Sequence, residues 1–273
     1  MFLALFTVGV AFMTLISFHP YIPPPAFYGT KITTENYLSI FADRFALFTV
    51  GNTLILSLVA SLLTMLFAYP IAQLLVRPGL ELTRRLVSSF IILLLFLNSA
   101  VRSVTWITIL GSSGLINSVL LGLNIIQHPV SLLFTNLAVV LGIMSSNLPY
   151  AILMLASSLR YVGVDLEDAA RTLGANEFQV FRRVTLPLSE LAVIATGNLM
   201  FIVALTAFVS PAILGGGVIP FITVNIFYTA TEALNLPLSS AFSVFFTILT
   251  LAIVLIFGRI TNRFLSKGMR MRA

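Results

Sequence analysis

Six stretches of this chain are uncharged, or nearly so, over lengths that match the hydrocarbon thickness of a bilayer. They run over residues 1–18 (MFLALFTVGVAFMTLISF), 46–76, 86–110, 130–156, 190–214 and 238–258. A helix needs about 20 mostly apolar residues to cross. Inside hydrocarbon every backbone N–H and C=O must be satisfied within the segment, so runs of this length are read as helices. A chain that is 59% hydrophobic and 9% charged lacks the side chains to face water, where about a quarter of a soluble domain is charged. The expectation is an all-α integral membrane protein of six transmembrane helices, a single membrane domain over 1–273.

The cations sort by side. Arg77, Arg84 and Arg85 follow the second run. Arg160, Arg171, Arg182 and Arg183 follow the fourth. Arg259, Arg263, Lys267, Arg270 and Arg272 close the chain. If the spans alternate, these twelve of fifteen Lys and Arg share one face; Lys31 and Arg44 face the other, and Arg102 lies within the third run. The positive-inside rule then makes that face, and both termini, cytoplasmic. The net charge of +6 follows from these loops, so no nucleic acid is expected as partner; membrane lipid is. The first run has no basic flank and no small-residue cleavage site, and is expected to be a span whose short cytoplasmic lead is lost or was never present, not a secretory signal.

Several chemistries are unsupported. Without cysteine there are no disulfides, thiolate metal sites or thiol nucleophiles. His19 and His128 lie far apart, so no metal site is expected. No Asp or Glu lies deep in any run, Glu190 being at a boundary and Glu232 in an outer loop. That argues against an ion-coupled carrier and against a membrane enzyme working through paired carboxylates. A polycation in transit would find no deep countercharge on this chain, and would depend on aromatics, a partner permease or a binding protein.

Within the spans, Asn98, Arg102 and Trp106 fall at i, i+4 and i+8, one helical face, with Arg102 about 16 residues into the third span and hence ~24 Å from its inner end. This face lines the translocation path or its outer gate, or else Arg102 snorkels to outer headgroups beside an interfacial Trp106. Ser145, Ser146, Asn147 and Pro149 make a polar kink in the fourth span. Asn198, Thr206, Ser210 and Pro211 do so in the fifth, before Gly215–Gly217 break it. Cavity lining and interhelical packing both remain open for these groups.

The polar stretch 167–187, EDAARTLGANEFQVFRRVTLP, concentrates charge. Asp165 is placed to cap a helix, with Asp168 three residues on, and Asp165, Glu167 and Asp168 are read as caps. Gly174 stands where a helix ends in a left-handed residue. Asn176 and Gln179 fit a second capping box, Phe178 and Phe181 share a face, and Pro187 is expected to stop regular pairing before the next span. The prediction is helix, tight turn, helix at the inner surface, docked on a cytoplasmic partner or resting on headgroups.

That stretch resembles the EAA loop of permease subunits of binding-protein-dependent ABC importers, whose pattern is Glu-Ala-Ala, three residues, Gly, nine residues, Ile, one residue, Leu-Pro. Here stand Asp168-Ala169-Ala170, Gly174, Val184 and Leu186-Pro187, with both spacings kept and Asp for Glu and Val for Ile. NTLILSLVASLLTMLFAYPIAQLL is similar to the start of the family's core, while NSAVRSVTWITILGSSGLINSVL and FVSPAILGGG resemble its spermidine/putrescine branch; the usual proline of the third span is replaced by Leu97 and Asn98.

The resemblance implies a type I ABC importer permease fold in the bacterial inner membrane, with a transmembrane core over 48–260 and a coupling loop over 158–188. The loop would sit in a groove of an ATP-binding cassette ATPase dimer, bent at Gly174, anchored by Phe178 and Phe181, with Arg182 or Arg183 paired to acidic groups. A second permease subunit (a sister chain) and a periplasmic substrate-binding protein complete the implied assembly. The implied cargo is a polyamine or a related small solute. No GxxxxGK[ST] sequence is present, so this chain is expected to hold no cofactor and do no catalysis, with ATP and magnesium on the partner.

Overall fold

The computed structural model describes the backbone of residues 2–77, 81–162 and 164–270, and side chains within 7–77, 81–161 and 166–259. In chain order the helices are α1 (Phe2–Ser17), α2 (Glu35–Ala42), α3 (Arg44–Val76), α4 (Glu81–Phe96), α5 (Ser99–Leu110), α6 (Leu115–Gly122), α7 (Asn136–Val162), α8 (Val164–Thr172), α9 (Glu177–Val180), α10 (Leu186–Leu205), α11 (Val209–Gly215), α12 (Ile222–Thr231) and α13 (Leu236–Arg270), with a π-helical turn, Phe181–Thr185, leading into α10. Among the described residues, five helical stretches are long and apolar enough to cross a membrane: Arg44–Val76, Ser99–Gly122, Asn136–Tyr161, Glu177–Leu205 and Leu236–Arg259.

The centre is a bundle of α3, α7 and α10. Along α3, Ala46, Thr49, Thr53, Ser57, Ala60, Thr64, Ala68 and Ala72 recur every three or four residues and are all fully buried. Ile55, Leu58, Leu62 and Leu66 point outward instead. Small residues inside and large ones outside is the arrangement expected where the outer solvent is lipid: burying leucine gains little there, and close backbone approach gains dispersion contacts. The Thr49, Thr53 and Thr64 hydroxyls donate to the carbonyls one turn back, which satisfies them within α3. Ala151, Leu155 and Ala156 of α7 and Met200 of α10 close this core at the end bearing Arg77. Phe201, Leu205, Ile222, Ala241, Phe242 and Phe246 join α10 to α12 and α13 at the other end.

Two of the expected spans are broken. The run 86–110 is α4 and α5, separated at Leu97–Asn98, where the Asn98 side chain accepts the Ala100 N–H at 2.8 Å and caps α5. Asparagine competes for local backbone groups, so a polar cap ends a helix that hydropathy alone would continue. Arg102 therefore belongs to a new helix and is not 16 residues into an unbroken one. The run 190–214 breaks after Leu205. The chain then turns through left-handed Gly216 and Gly217 and is pinned to α3. Thr53 Oγ1 accepts the Ile222 N–H at 2.9 Å, and Asn52 donates to the Pro220 carbonyl at 2.9 Å.

Candidate functional site

Two polar assemblies stand out, one at the basic end of the bundle and one halfway along it. At the basic end, α8 and α9 form the expected bent pair. Gly174 has φ of +86°; its N–H bonds to the Arg171 carbonyl at 2.9 Å, and the Ala175 N–H reaches the Ala170 carbonyl at 3.1 Å. This is a Schellman closure with glycine in the left-handed position. Asn176 and Gln179 complete a capping box at 2.9 and 3.0 Å. Asp165 is not the cap: α8 begins at Val164, which puts Asp165 inside the first turn, its side chain outside the described residues.

Nor are the other two acids caps. Glu167, 6% exposed, accepts the Thr185 hydroxyl at 2.5 Å and pairs with Arg77 at 3.3 Å and Arg171 at 3.4 Å. Arg171 also holds Asp168 at 2.6 Å and Glu177 at 2.7 Å, and Arg77 lies 3.6 Å from Glu177. The Arg171 hydrogen bond holds the Glu177 carboxyl below the usual carboxylate range, and the same bond raises Arg171. Two guanidinium groups, one at the end of α3, thus lock α8 against α9.

Pro187 does not interrupt the chain. Residues Glu177–Leu205 form one continuous helix, with the π-turn placing the Leu186 N–H on the Phe181 carbonyl. A proline in an α-helix lacks its N–H and collides with the carbonyl four residues back; the extra residue of a π-turn just before Pro187 relieves that clash. The bent pair is therefore continuous with a central helix of the bundle.

The two expected phenylalanine knobs diverge. Phe178 is 66% exposed, whereas Phe181 turns inward and meets Tyr69 of α3 edge-on, 5.8 Å between ring centres. Tyr69 in turn bonds Ser189 at 2.8 Å. Leu173, Ala169, Arg182 and Arg183 are exposed, as are Leu186 and Pro187, while Ala170 and Val184 are half-buried.

Halfway along the bundle, Ser146 and Asn147 of α7, Ser99 of α5, and Thr206 and Ser210 after α10 line a pocket of about 210 Å³. Ser99 faces Ser146 at 3.4 Å and Ser103 faces Ser210 at 3.2 Å. Asn147 donates to the Met200 carbonyl at 3.2 Å.

Pro149 leaves the Ser145 carbonyl without its helical donor, and Arg102 Nη1 supplies one at 3.2 Å. Trp106 Nε1 donates to Ser145 Oγ at 2.9 Å. Arg102 and Trp106 thus face α7. Asn98 caps α5, and Asn198 is half-buried on α10; neither lines the pocket. Sequence reasoning missed Arg77, Glu167, Arg171, Glu177, Thr185, Ser99 and Ser103 as site residues. The i, i+4 spacing of Glu167 and Arg171 was the one available signal.

The family model for the inner membrane component of binding-protein-dependent transport systems matches residues 57–271. The spermidine/putrescine transport system permease protein PotB of Haemophilus influenzae is 32% identical over 241 residues, 88% of this chain and 83% of that protein. PotB of Escherichia coli is 27% identical over 263 residues, 96% of this chain and 92% of its relative. Among solved structures, a bacterial ABC transporter that imports the acidic polysaccharide alginate matches with a TM-score of 0.76 at 18% identity, over 96% of this chain and 90% of that one. The methionine ABC transporter MetNI in an inward-facing conformation matches with a TM-score of 0.60 at 19% identity, over 80% and 94%. The bent helix pair with its EAA-type spacing, the broken membrane helices and these matches lead to one assignment: the chain is a member of the binding-protein-dependent transport family, an inner-membrane permease component with the ABC importer permease fold.

Proposed function

We propose that this chain passes a small solute inward across the plasma membrane, moved by a separate ATPase dimer and fed by a periplasmic binding protein, beside a second permease chain. The names of the relatives favour a polyamine or a related cargo. The proposed topology has six spans, with α1, α3, α4–α5, α7, α10 and α13 crossing, both termini cytoplasmic, a core over 48–260 and a coupling loop over 158–188. ATP and magnesium belong to the partner; ATP hydrolysis is not this chain's task.

The observation that carries the reading is the continuity from the charge-locked α8–α9 pair into α10. A groove on the ATPase that moved the exposed face of Asp168, Ala169, Leu173, Phe178, Arg182 and Arg183 would move α10 as one body. Ala170, Gly174, Val184, Leu186 and Pro187 set its shape, and Phe181 ties it to α3. The pocket of Ser146, Asn147 and Ser210, with Arg102 and Trp106 beside it, is the proposed pathway. No carboxylate lies deep within the spans, Glu81 and Glu190 standing near the starts of α4 and α10, so countercharge for a cation in transit would come from the partner permease.

Gly174→Val tests the coupling role. A β-branched residue at φ of +86° costs about 1–2 kcal/mol, and no neighbouring atom would obstruct its Cβ, so the strain falls on the bend alone. Uptake is expected to be lost while the protein remains in the membrane; normal uptake would remove the coupling role.

A further inference from the structure

A cleft of about 960 Å³ opens where the ends of α3 and α7 meet the start of α4. Its two long walls read in the same order. On α4, Arg84 and Arg85 are followed by Ser88 and Ser89, then Ile92; on α7, Arg160 is followed by Ser157, then Ala156 and Leu153. Each wall passes from cation to hydroxyl to aliphatic within roughly seven to eight positions, ~10–12 Å of helix. Leu75 and Val76 of α3 join the lining.

Arg85 has a partner in Glu81 at 3.7 Å. Arg84 and Arg160 have no carboxylate partner among the described residues. Arg84 also sits in the first turn of α4, the end of the helix dipole where a cation is disfavoured and an anion favoured. Of α4's own side chains only Ile91 is fully buried, so its cleft-facing side is not closed by protein packing within this chain.

We infer that this cleft binds an anionic glycerophospholipid of the inner leaflet, its phosphate between Arg84 and Arg160, its ester region beside Ser88 and Ser157, and an acyl chain along Ile92, Leu153 and Leu75. The graded walls favour a lipid over a free phosphate: an inorganic anion uses the arginines and leaves the aliphatic floor bare, whereas a lipid matches the whole gradient. Basic pockets between membrane helices at the cytoplasmic face are suited to such headgroups. Bound there, the lipid fills the space between α4 and the central bundle.

The test uses the assembled transporter, purified with its partner chains and transferred to vesicles of phosphatidylcholine with or without phosphatidylglycerol. Lipid retained after detergent washing is read by native mass spectrometry. The complex is expected to retain phosphatidylglycerol over phosphatidylcholine. Retention should fall about fivefold for each of Arg84→Ala and Arg160→Ala, the weight of one basic side chain at an anionic surface, recover with Arg84→Lys and Arg160→Lys, and stay unchanged in Lys31→Ala. Equal retention of the two lipids, or no loss in the double alanine variant, would overturn the proposal. Displacement of the lipid by inorganic phosphate alone would make the site one for a free anion. Protection of both arginines from phenylglyoxal in delipidated complex would make it a contact with a partner chain. Either result overturns the lipid assignment.

Discussion

In the bent pair at the basic end, three carboxylates converge on Arg77 and Arg171. In the pocket halfway along the bundle, serines face one another at 3.2 and 3.4 Å and a single guanidinium leans on a freed carbonyl. The first region is held by charge-assisted bonds, about twice as strong as neutral ones. The second is held by contacts worth about 0.6 kcal/mol each in a membrane. In the proposed function the first part receives force and the second opens to let a solute by, tasks that need opposite properties, and the two are joined by α10.

The contrast can be broken from its strong side first. Glu167→Ala would leave Thr185, Arg77 and Arg171 short of their shared acceptor; at about 1.5–3 kcal/mol for a hydrogen bond to a charged group, α8 should detach from the π-turn and from the end of α3. Hydrogen exchange across 166–185 should rise, and uptake should fall more than tenfold, with the spans unaffected. Unchanged protection would show that the ion pairs do not hold the bent pair.

Arg102→Ala comes next. It leaves the Ser145 carbonyl beside Pro149 without a donor, at a cost of about 1–3 kcal/mol, and removes a cation that reaches α7 beside the pocket. Transport or transport-stimulated ATP hydrolysis should change, whereas exchange in the α8–α9 pair should not. A wild-type transport rate would reduce Arg102 to a packing residue. Smaller still is Ser103→Ala, which loses one hydroxyl contact with Ser210. About 0.6 kcal/mol should barely alter the melting temperature, and a severe loss of stability would show that the pocket is as rigid as the bent pair.

What the sequence reveals follows the range of the forces involved. Gly174 and the Asn176–Gln179 box are local rules, each settled within a few residues, and both appear as expected. The apolar runs locate the helices because hydropathy is a property of segments. Arg77 escaped notice because its partners lie about 90 and 100 positions away, and no local pattern links them.

Pro187 was read as a stop because an α-helix does not tolerate it, and a π-turn is not visible in composition. Phe178 and Phe181 share a face in an ideal helix, but the π-turn and the tertiary contact with Tyr69 send them different ways. The break at Asn98 is the opposite case: one polar cap outweighed a long apolar run.

The chain has no cysteine, so single thiols can be placed without background. Leu173, 88% exposed on the bent pair, and Leu115, 65% exposed at the far end of the bundle, offer one probe at each extremity. In the assembled transporter, Leu173→Cys is expected to crosslink to the nucleotide-hydrolysing subunit and Leu115→Cys is not. An ATPase that crosslinks to neither position, or to Leu115→Cys alone, would contradict the assignment of α8 and α9 as the surface the motor grips.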